Sequence, residues 1–175
     1  VLEKTRAPLY GTSFLTQYAK EIHLVSVSSF FFIVYAIALI ITRPFTGKWF
    51  DQFGANRVNY PLLILTIMGF FTLSIAQTGL VFLLSAVLIG IGYGTLISNF
   101  QAIAIQESPS HRKSLSTSTF FMFLDLSNGI GPYIVGILVT FMSFKALYGT
   151  VTVWILICLI VYYFVYGKNA KKVSN

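Results

Sequence analysis

Long uncharged stretches alternate with short charged ones along the chain. Four stretches contain no Asp, Glu, Lys or Arg: residues 24–42, 58–76, 80–106 and 146–167. A fifth, residues 114–142, has Asp125 as its one charged residue. A helix needs about 20 mostly apolar residues to cross about 30 Å of hydrocarbon, so each stretch is long enough for one crossing. The pattern therefore predicts five membrane-spanning helices, with the second and third separated at the turn-like segment 76–79.

The first 22 residues contain a shorter apolar segment. Between Arg6 and Lys20 only 13 residues are uncharged, and a helix of that length extends about 20 Å. Residues 1–22 are therefore predicted to be a truncated first span, and residues 168–175 a cytoplasmic tail. The predicted fold is an all-α membrane protein in which residues 1–175 form one bundle of about six transmembrane helices. Because the sequence begins with Val1 and shows no signal peptide pattern, we expect a fragment of a longer protein.

The composition agrees with burial in lipid. Hydrophobic residues make up 56% of the chain and charged residues 10%, whereas soluble domains carry about 25% charged residues. A soluble protein of this size would need more polar surface than the sequence supplies. The lipid bilayer is therefore the expected surrounding. The single cysteine, Cys158, lies in an apolar stretch, which excludes a disulfide framework or a cysteine metal site, and no cofactor is predicted.

The distribution of lysine and arginine predicts the topology. If the first segment crosses the membrane, ten of the 12 basic residues fall on one side: Lys4, Arg6, Arg43, Lys48, Arg57, Arg112, Lys113, Lys168, Lys171 and Lys172. Lys20 and Lys145 fall on the other side. Since cytoplasmic loops carry an excess of Lys and Arg, both termini are predicted to lie in the cytoplasm of a multi-pass plasma membrane protein. Topology thus explains the net charge of +7, and a nucleic-acid partner is not expected.

A charged segment between the first two long stretches carries the pattern G-x-x-x-D-x-x-G-x-x-R, formed by Gly47, Asp51, Gly54 and Arg57. We interpret it as a turn between two spans. Gly47 allows a neighbouring helix backbone to approach closely, and Gly54 can adopt the positive φ of a tight reversal. Asp51 can accept hydrogen bonds at a helix N-terminus or pair with Arg57. The alternative is a solvated turn whose charges only fix the topology.

The spacing of this segment resembles the signature of the major facilitator superfamily of secondary transporters, approximately G-x-x-x-D-R/K-x-G-R/K-R/K. Three of its positions are matched in register, by Gly47, Asp51 and Gly54. Three positions that are usually basic carry other residues, Gln52, Ala55 and Asn56, and Arg57 comes one position late. The resemblance extends over nearly the whole chain, through segments 43–54, 90–94 and 100–132. It is to the C-terminal half of a bacterial drug-efflux-type member.

This resemblance implies a fold and a function. The fold is half of a twelve-helix, two-bundle transporter, and the N-terminal half is the implied partner. The function is secondary active transport of a small molecule by alternating access, coupled to protons and directed outward. In this family the charged segment is a conformational gate that leans on a helix of the opposite half in the outward-facing state and releases in the inward-facing state. The resemblance assigns that role here to Gly47, Asp51, Gly54 and Arg57.

The fifth stretch carries an acid deep in an apolar segment. Asp125 lies about 16 Å from the start of its predicted helix, near the bilayer midplane. A charge there costs about 2.5–3.5 kcal/mol, and such residues usually face the protein interior and serve a function. We expect Asp125 to couple protons or contact a cation; the alternative is a structural acid hydrogen-bonded to Asn128 or to a neighbouring helix. The candidates for a cavity or hinge are Gln101, Gly129, Gly131, Pro132 and Gly136.

Other functional classes receive less support from the sequence. The glycines at 90–94 lie inside an apolar span without a preceding strand, which excludes a dinucleotide loop and predicts close helix packing at Gly90 and Gly94. An enzyme is not predicted, because His23 and His111 fall on opposite membrane faces and neither G-x-S-x-G nor H-E-x-x-H occurs. The alternative function is a structural subunit, or a nonfunctional transporter remnant that lacks its N-terminal half.

Overall fold

The computed structural model describes residues 14–168. This part of the chain contains no strand, and its six α-helices are α1 Phe14–Glu21, α2 Val25–Phe53, α3 Ala55–Ser74, α4 Gly79–Gln106, α5 Lys113–Phe141 and α6 Phe144–Tyr162. A short 3-10 helix, Ser110–Arg112, precedes α5, and a π-helical turn, Tyr163–Gly167, follows α6. Five segments of the described chain are long and apolar enough to span a membrane. The predicted all-α membrane fold with a short first helix is confirmed.

The second helix differs from its predicted extent. The uncharged stretch ends at residue 42, but α2 continues to Phe53 through Arg43, Pro44 and most of the charged segment. Pro44 removes one backbone hydrogen bond, yet the bonds on either side keep the helix continuous. The other four long helices lie close to their predicted stretches. The charged segment is therefore mainly the end of a helix, where the sequence had indicated a turn.

The fourth helix lies at the centre of the bundle, with α2 on one side and α3 on another. Its glycines make both approaches possible. A Cβ atom on Gly90 would lie 2.7 Å from the carbonyl oxygen of Tyr35 in α2, and one on Gly92 would lie 2.9 Å from the carbonyl oxygen of Leu62 in α3. Gly94 also contacts side chains of α2. Small residues let membrane helices approach in this way, so the packing predicted for these glycines is present.

Two apolar clusters stabilise the ends of the bundle. We call the end at Gly54 the hairpin end, and the end where α3 stops and α4 begins the opposite end. The hairpin-end cluster consists of Phe50, Ala55, Val58, Leu62, Leu63, Leu96, Ile103 and Tyr162. At the opposite end, the fully buried Tyr18 of α1 donates a hydrogen bond to the carbonyl oxygen of Leu73 at 2.8 Å. This bond attaches α1 to the bundle; residues 1–13 of the predicted first span lie outside the described residues.

The helices α2 and α5 are the least buried of the long helices. Within residues 14–168 no residue of α5 is buried, and α2 buries four of its 29 residues: Ser28, Phe31, Thr46 and Phe50. α5 is held near its start by a hydrogen bond from Ser116 Oγ to the carbonyl oxygen of Ala104, at 2.8 Å. Its other end packs through Val135, Leu138, Val139 and Met142. The apolar surface left open on both helices needs lipid or another protein segment around it.

Candidate gate and transport site

The connection between α2 and α3 is a single residue, Gly54. Its backbone has φ 80° and ψ 162°, a conformation that glycine adopts without a steric clash. The N–H of Gly54 donates to the carbonyl oxygen of Phe50 at 3.0 Å, which closes the end of α2. The tight reversal expected at Gly54 is present, in a shorter turn than the sequence indicated. Gly47 and Asp51 lie in the last two turns of α2, and Arg57 lies in the first turn of α3.

The carboxylate of Asp51 has no partner in the hairpin. The side chains of Asp51 and Arg57 are both exposed, and no ion pair joins them within residues 14–168. No side-chain hydrogen bond caps the start of α3 in the described chain either. The reason is that α2 continues to Phe53, so Asp51 lies near the C-terminus of its own helix. The partial negative charge of a helix C-terminus disfavours a carboxylate at that position.

Eight glycines of the described chain form two groups that differ in the space around them. In the part that the structure describes, a Cβ atom would meet no neighbour within 4 Å at four predicted site positions: Gly47, Gly129, Gly131 and Gly136. In the interior of the bundle, a Cβ atom would come within 3.0 Å of another atom at Gly69, Gly90, Gly92 and Gly94. The first group lies on α2 and α5 and the second on α3 and α4. Open glycines are thus confined to the two least buried helices among these four.

The carboxyl group of Asp125 lies near the middle of the bundle's most open helix. Twelve residues separate it from Lys113 at the start of α5, or about 18 Å along the axis. Its side chain is exposed and makes no hydrogen bond to Asn128 in the described chain. Pro132 lies inside α5, which continues to Phe141.

The remaining candidate, Gln101, is half-buried on α4 and makes no hydrogen bond within residues 14–168. The candidates are therefore spread over four helices, with the gate on α2 and α3, Gln101 on α4, and Asp125 with the small residues on α5. No hydrogen bond or ion pair connects these three groups in the described chain. A cavity of about 330 Å³ at the opposite end contains none of them; its lining is Glu21, Ile22, Gln77 and Lys145.

Four polar residues at the hairpin end form a chain of hydrogen bonds that the sequence motifs did not indicate. Asn99 Nδ2 donates to Asn59 Oδ1 at 2.8 Å, and Asn59 Nδ2 donates to the Tyr162 hydroxyl at 3.2 Å. The Tyr162 hydroxyl donates to Asn56 Oδ1 at 2.9 Å, and Asn56 Nδ2 donates to the carbonyl oxygen of Gly167 at 2.8 Å. We call Asn56, Asn59, Asn99 and Tyr162 the asparagine–tyrosine chain. The sequence feature that could have indicated this chain is an amide side chain inside an uncharged stretch, as at Asn59 and Asn99. An unpaired polar group there is costly, so each amide needs a hydrogen-bond partner.

The sequence profile described as the Major Facilitator Superfamily matches residues 9–175. The chain belongs to this family. Over 124 residues it is 30% identical to a protein described as "Uncharacterized MFS-type transporter YwoD" from Bacillus subtilis (strain 168). That match covers 67% of this chain and 27% of the length of the relative. No solved structure matches the chain significantly.

Family membership and the five helices of the described chain that are long and apolar enough to cross a bilayer make this chain part of a multi-pass membrane protein. The resemblance found in the charged segment is confirmed at the level of the family. Among residues 14–168, no group of three or more His, Cys, Asp and Glu residues is placed to hold a metal ion.

Proposed function

We propose that this chain is the C-terminal half of a proton-coupled secondary active transporter, which exports small amphipathic molecules by alternating access. The observation that carries the proposal is the division of the glycines. At the interior glycines of α3 and α4, neighbouring residues of the bundle occupy the space where a Cβ atom would lie. At Gly47 on α2 and at Gly129, Gly131 and Gly136 on α5, that space is open. Small residues on membrane helices serve the close approach of another helix. Gly129 and Gly136 lie about 20° apart around α5, and with Gly47 on α2 they are the glycines that we infer to pack against the N-terminal half.

The length of the relative supports this partner. The matched segment makes up 27% of YwoD, so most of that protein lies outside the match and leaves room for a second bundle. The two helices with open glycines are also those that bury the fewest residues among the five long helices of the described chain. A second bundle against α2 and α5 would remove their apolar surface from lipid and fill the space beside the glycines.

The position of Asp51 supports a gate at the hairpin end. Its carboxylate is exposed and lies near the negative end of its own helix dipole, where it is disfavoured. The N-terminus of a helix in the other half would offer free N–H groups and a positive partial charge, both of which a carboxylate prefers. Contact in one state and separation in the other would make Gly47, Asp51, Gly54 and Arg57 a conformational gate.

The position of Asp125 supports a coupling site in the central cavity. A carboxylate about 18 Å along a membrane helix lies near the midplane, and a charge there costs about 2.5–3.5 kcal/mol. No residue of the described chain pairs with it. A bound proton or cation would remove that cost, which gives Asp125 a reason to bind one. Gln101 is a further cavity candidate, and Pro132 on the same helix as Asp125 is the hinge candidate.

The proposed location of the protein rests on the distribution of its basic residues, and the proposed direction of transport rests on the family resemblance. In the topology predicted from the sequence, ten of the 12 basic residues fall on the side of the hairpin end, which by the positive-inside rule is the cytoplasm. We therefore place the protein in the plasma membrane with both termini cytoplasmic. Export is proposed because the chain resembles drug-efflux-type members of the family.

The test uses the full-length transporter in everted membrane vesicles, with ethidium and tetraphenylphosphonium as probes. Energised vesicles should accumulate the probes, release of luminal protons should accompany this uptake, and a protonophore should abolish both. The chain expressed without its N-terminal half should insert but transport neither probe. A full-length protein that inserts normally, moves neither probe and releases no protons would contradict the proposal and favour a structural subunit or a nonfunctional remnant.

A further inference from the structure

The asparagine–tyrosine chain joins three helices at the hairpin end. It runs from Asn99 on α4 to Asn59 on α3, continues to Tyr162 on α6, and returns to Asn56 on α3. From there it ends on the carbonyl oxygen of Gly167. The four donor–acceptor distances, 2.8, 3.2, 2.9 and 2.8 Å, lie in the range of well-formed hydrogen bonds. The asparagine–tyrosine chain thus connects the start of α3 to both α4 and the end of α6.

Burial makes this chain costly to interrupt. Asn59 is 0% exposed, Asn99 6% and Tyr162 8%. In apolar surroundings a donor or acceptor that loses its partner is strongly destabilising, because no water replaces it. The ring of Tyr162 packs against three other aromatic rings, with centroid distances of 5.5 Å to Tyr60, 5.8 Å to Phe100 and 5.7 Å to Tyr166. This packing holds the hydroxyl group between the two asparagines.

The asparagine–tyrosine chain reaches the proposed gate through Asn56. This residue follows Gly54 by two positions and precedes Arg57, yet its carboxamide bonds the end of α6 whereas Arg57 is exposed. The carbonyl groups at a helix end have no partner within the helix, so that of Gly167 is free to accept. Lys and Arg have no acceptor atom and would not accept the hydrogen bond from the Tyr162 hydroxyl. This accounts for an asparagine where the family signature has a basic residue.

We propose that Asn56, Asn59, Asn99 and Tyr162 are positioning residues for the gate. They fix the α3 side of the hairpin to α4 and to the end of α6, so that the gate opens and closes by movement of the α2 side. α2 contributes no residue to the asparagine–tyrosine chain, and it packs in the hairpin-end cluster through the apolar side chain of Phe50. The inference rests on the proposed role of Asp51 and Arg57 as a gate.

The first experiment compares Tyr162→Phe with Tyr163→Phe in the full-length transporter. Each substitution removes one hydroxyl, but Tyr163 is exposed and its hydroxyl makes no hydrogen bond within residues 14–168. Tyr162→Phe removes two bonds, so amide hydrogen exchange at residues 55–60 and 163–168 should become about tenfold faster, with no change in Tyr163→Phe. Equal exchange in the two variants would overturn the proposal.

A second measurement distinguishes a positioning role from a purely structural one. Ser118 on α5 is replaced by cysteine in a Cys158→Ser background, and its reaction with an impermeant maleimide is followed from the cytoplasmic side. Tyr162→Phe should change the reaction rate about threefold through the altered gate, and Tyr163→Phe should not. Faster amide exchange with an unchanged reaction rate would show a structural role and overturn the proposal. Neither measurement depends on ethidium transport, so the failure of the proposed function is detected separately.

A third comparison keeps the test decisive if Tyr162→Phe does not insert. Asn56→Ala removes the last two bonds at a half-buried position, and Asn128→Ala, at an exposed position without a hydrogen bond in the described chain, is its control. Asn56→Ala should give the same changes in exchange and maleimide reaction. Because both substitutions interrupt one chain, the double variant should exchange no faster than the faster single variant. Independent, additive effects would contradict a connected chain.

Discussion

Gly90 of α4 lies directly against the backbone of Tyr35 in α2. A Cβ atom on Gly90 would be 2.7 Å from the Tyr35 carbonyl oxygen and 3.3 Å from its Cα. Both atoms belong to the backbone, so they move only if α2 moves as a whole. The helix that carries Asp51 is therefore seated on α4 at a point without room for a methyl group.

Gly90→Ala should destabilise the protein by about 1–3 kcal/mol, the usual cost of inserting a methyl group into a packed site. The measurement is the thermal midpoint of the purified transporter in detergent. Gly149→Ala is the matched control, because its methyl group would lie 3.5 Å from the Ser74 hydroxyl oxygen, an ordinary van der Waals contact, and should change stability by less than about 0.5 kcal/mol. Equal midpoints for the two variants would contradict the observed packing.

Asp51→Asn should slow transport about two- to fivefold without reducing membrane insertion. The amide lacks the charge that interacts with the dipole of a partner helix, an interaction worth about 0.3–1 kcal/mol. The initial rate of ethidium uptake into energised everted vesicles is the measurement. Glu107→Gln, which neutralises another exposed acid on the same side, should transport at the wild-type rate. Unchanged turnover in Asp51→Asn would refute its role in the gate.

Asp125→Asn should abolish proton-driven accumulation while leaving movement down a concentration gradient, because the amide has no titrating proton to exchange. Proteoliposomes with and without an imposed pH gradient provide the comparison. Asn128→Ala removes a polar group one turn away on α5 and should leave coupling intact. Full proton-driven accumulation by Asp125→Asn would exclude a coupling role.

Single cysteines should report the predicted topology in a Cys158→Ser background. Lys48→Cys and Lys168→Cys should react with an impermeant maleimide only from the cytoplasmic side, and Lys145→Cys only from the other side. The expectation follows from the ten-to-two distribution of basic residues. Reaction of the first two from opposite sides would overturn the arrangement of the helices.

The number and approximate positions of the long helices were predictable because membrane crossing depends on apolar length. The end of α2 was not, because charge marks where lipid stops and the helix continues beyond that point. Arg43 and Lys48 can lie at the end of a membrane helix with their long side chains extended to water. A charged residue in a sequence therefore locates a membrane boundary more reliably than a helix end.

The candidate site was only partly predictable. Gly54 was identified because a tight reversal requires a residue that tolerates positive φ. The asparagine–tyrosine chain was missed because its bonds join residues 40 to 111 positions apart, and periodicity within one helix does not say which other helix it meets. The buried amides Asn59 and Asn99 were visible as isolated polar residues, but their partners depend on the tertiary packing of α3, α4 and α6.

The one-residue link at Gly54 restricts how the hairpin can move. Sliding one helix past the other by a single turn, about 5.4 Å, would unwind residues on either side of the link. Rotation about the φ and ψ torsions of Gly54 needs no such unwinding, so α2 and α3 can change their mutual angle with Gly54 as the pivot. With its 29 residues α2 is an arm of about 43 Å, and a rotation of a few degrees at the pivot displaces its far end by several ångströms.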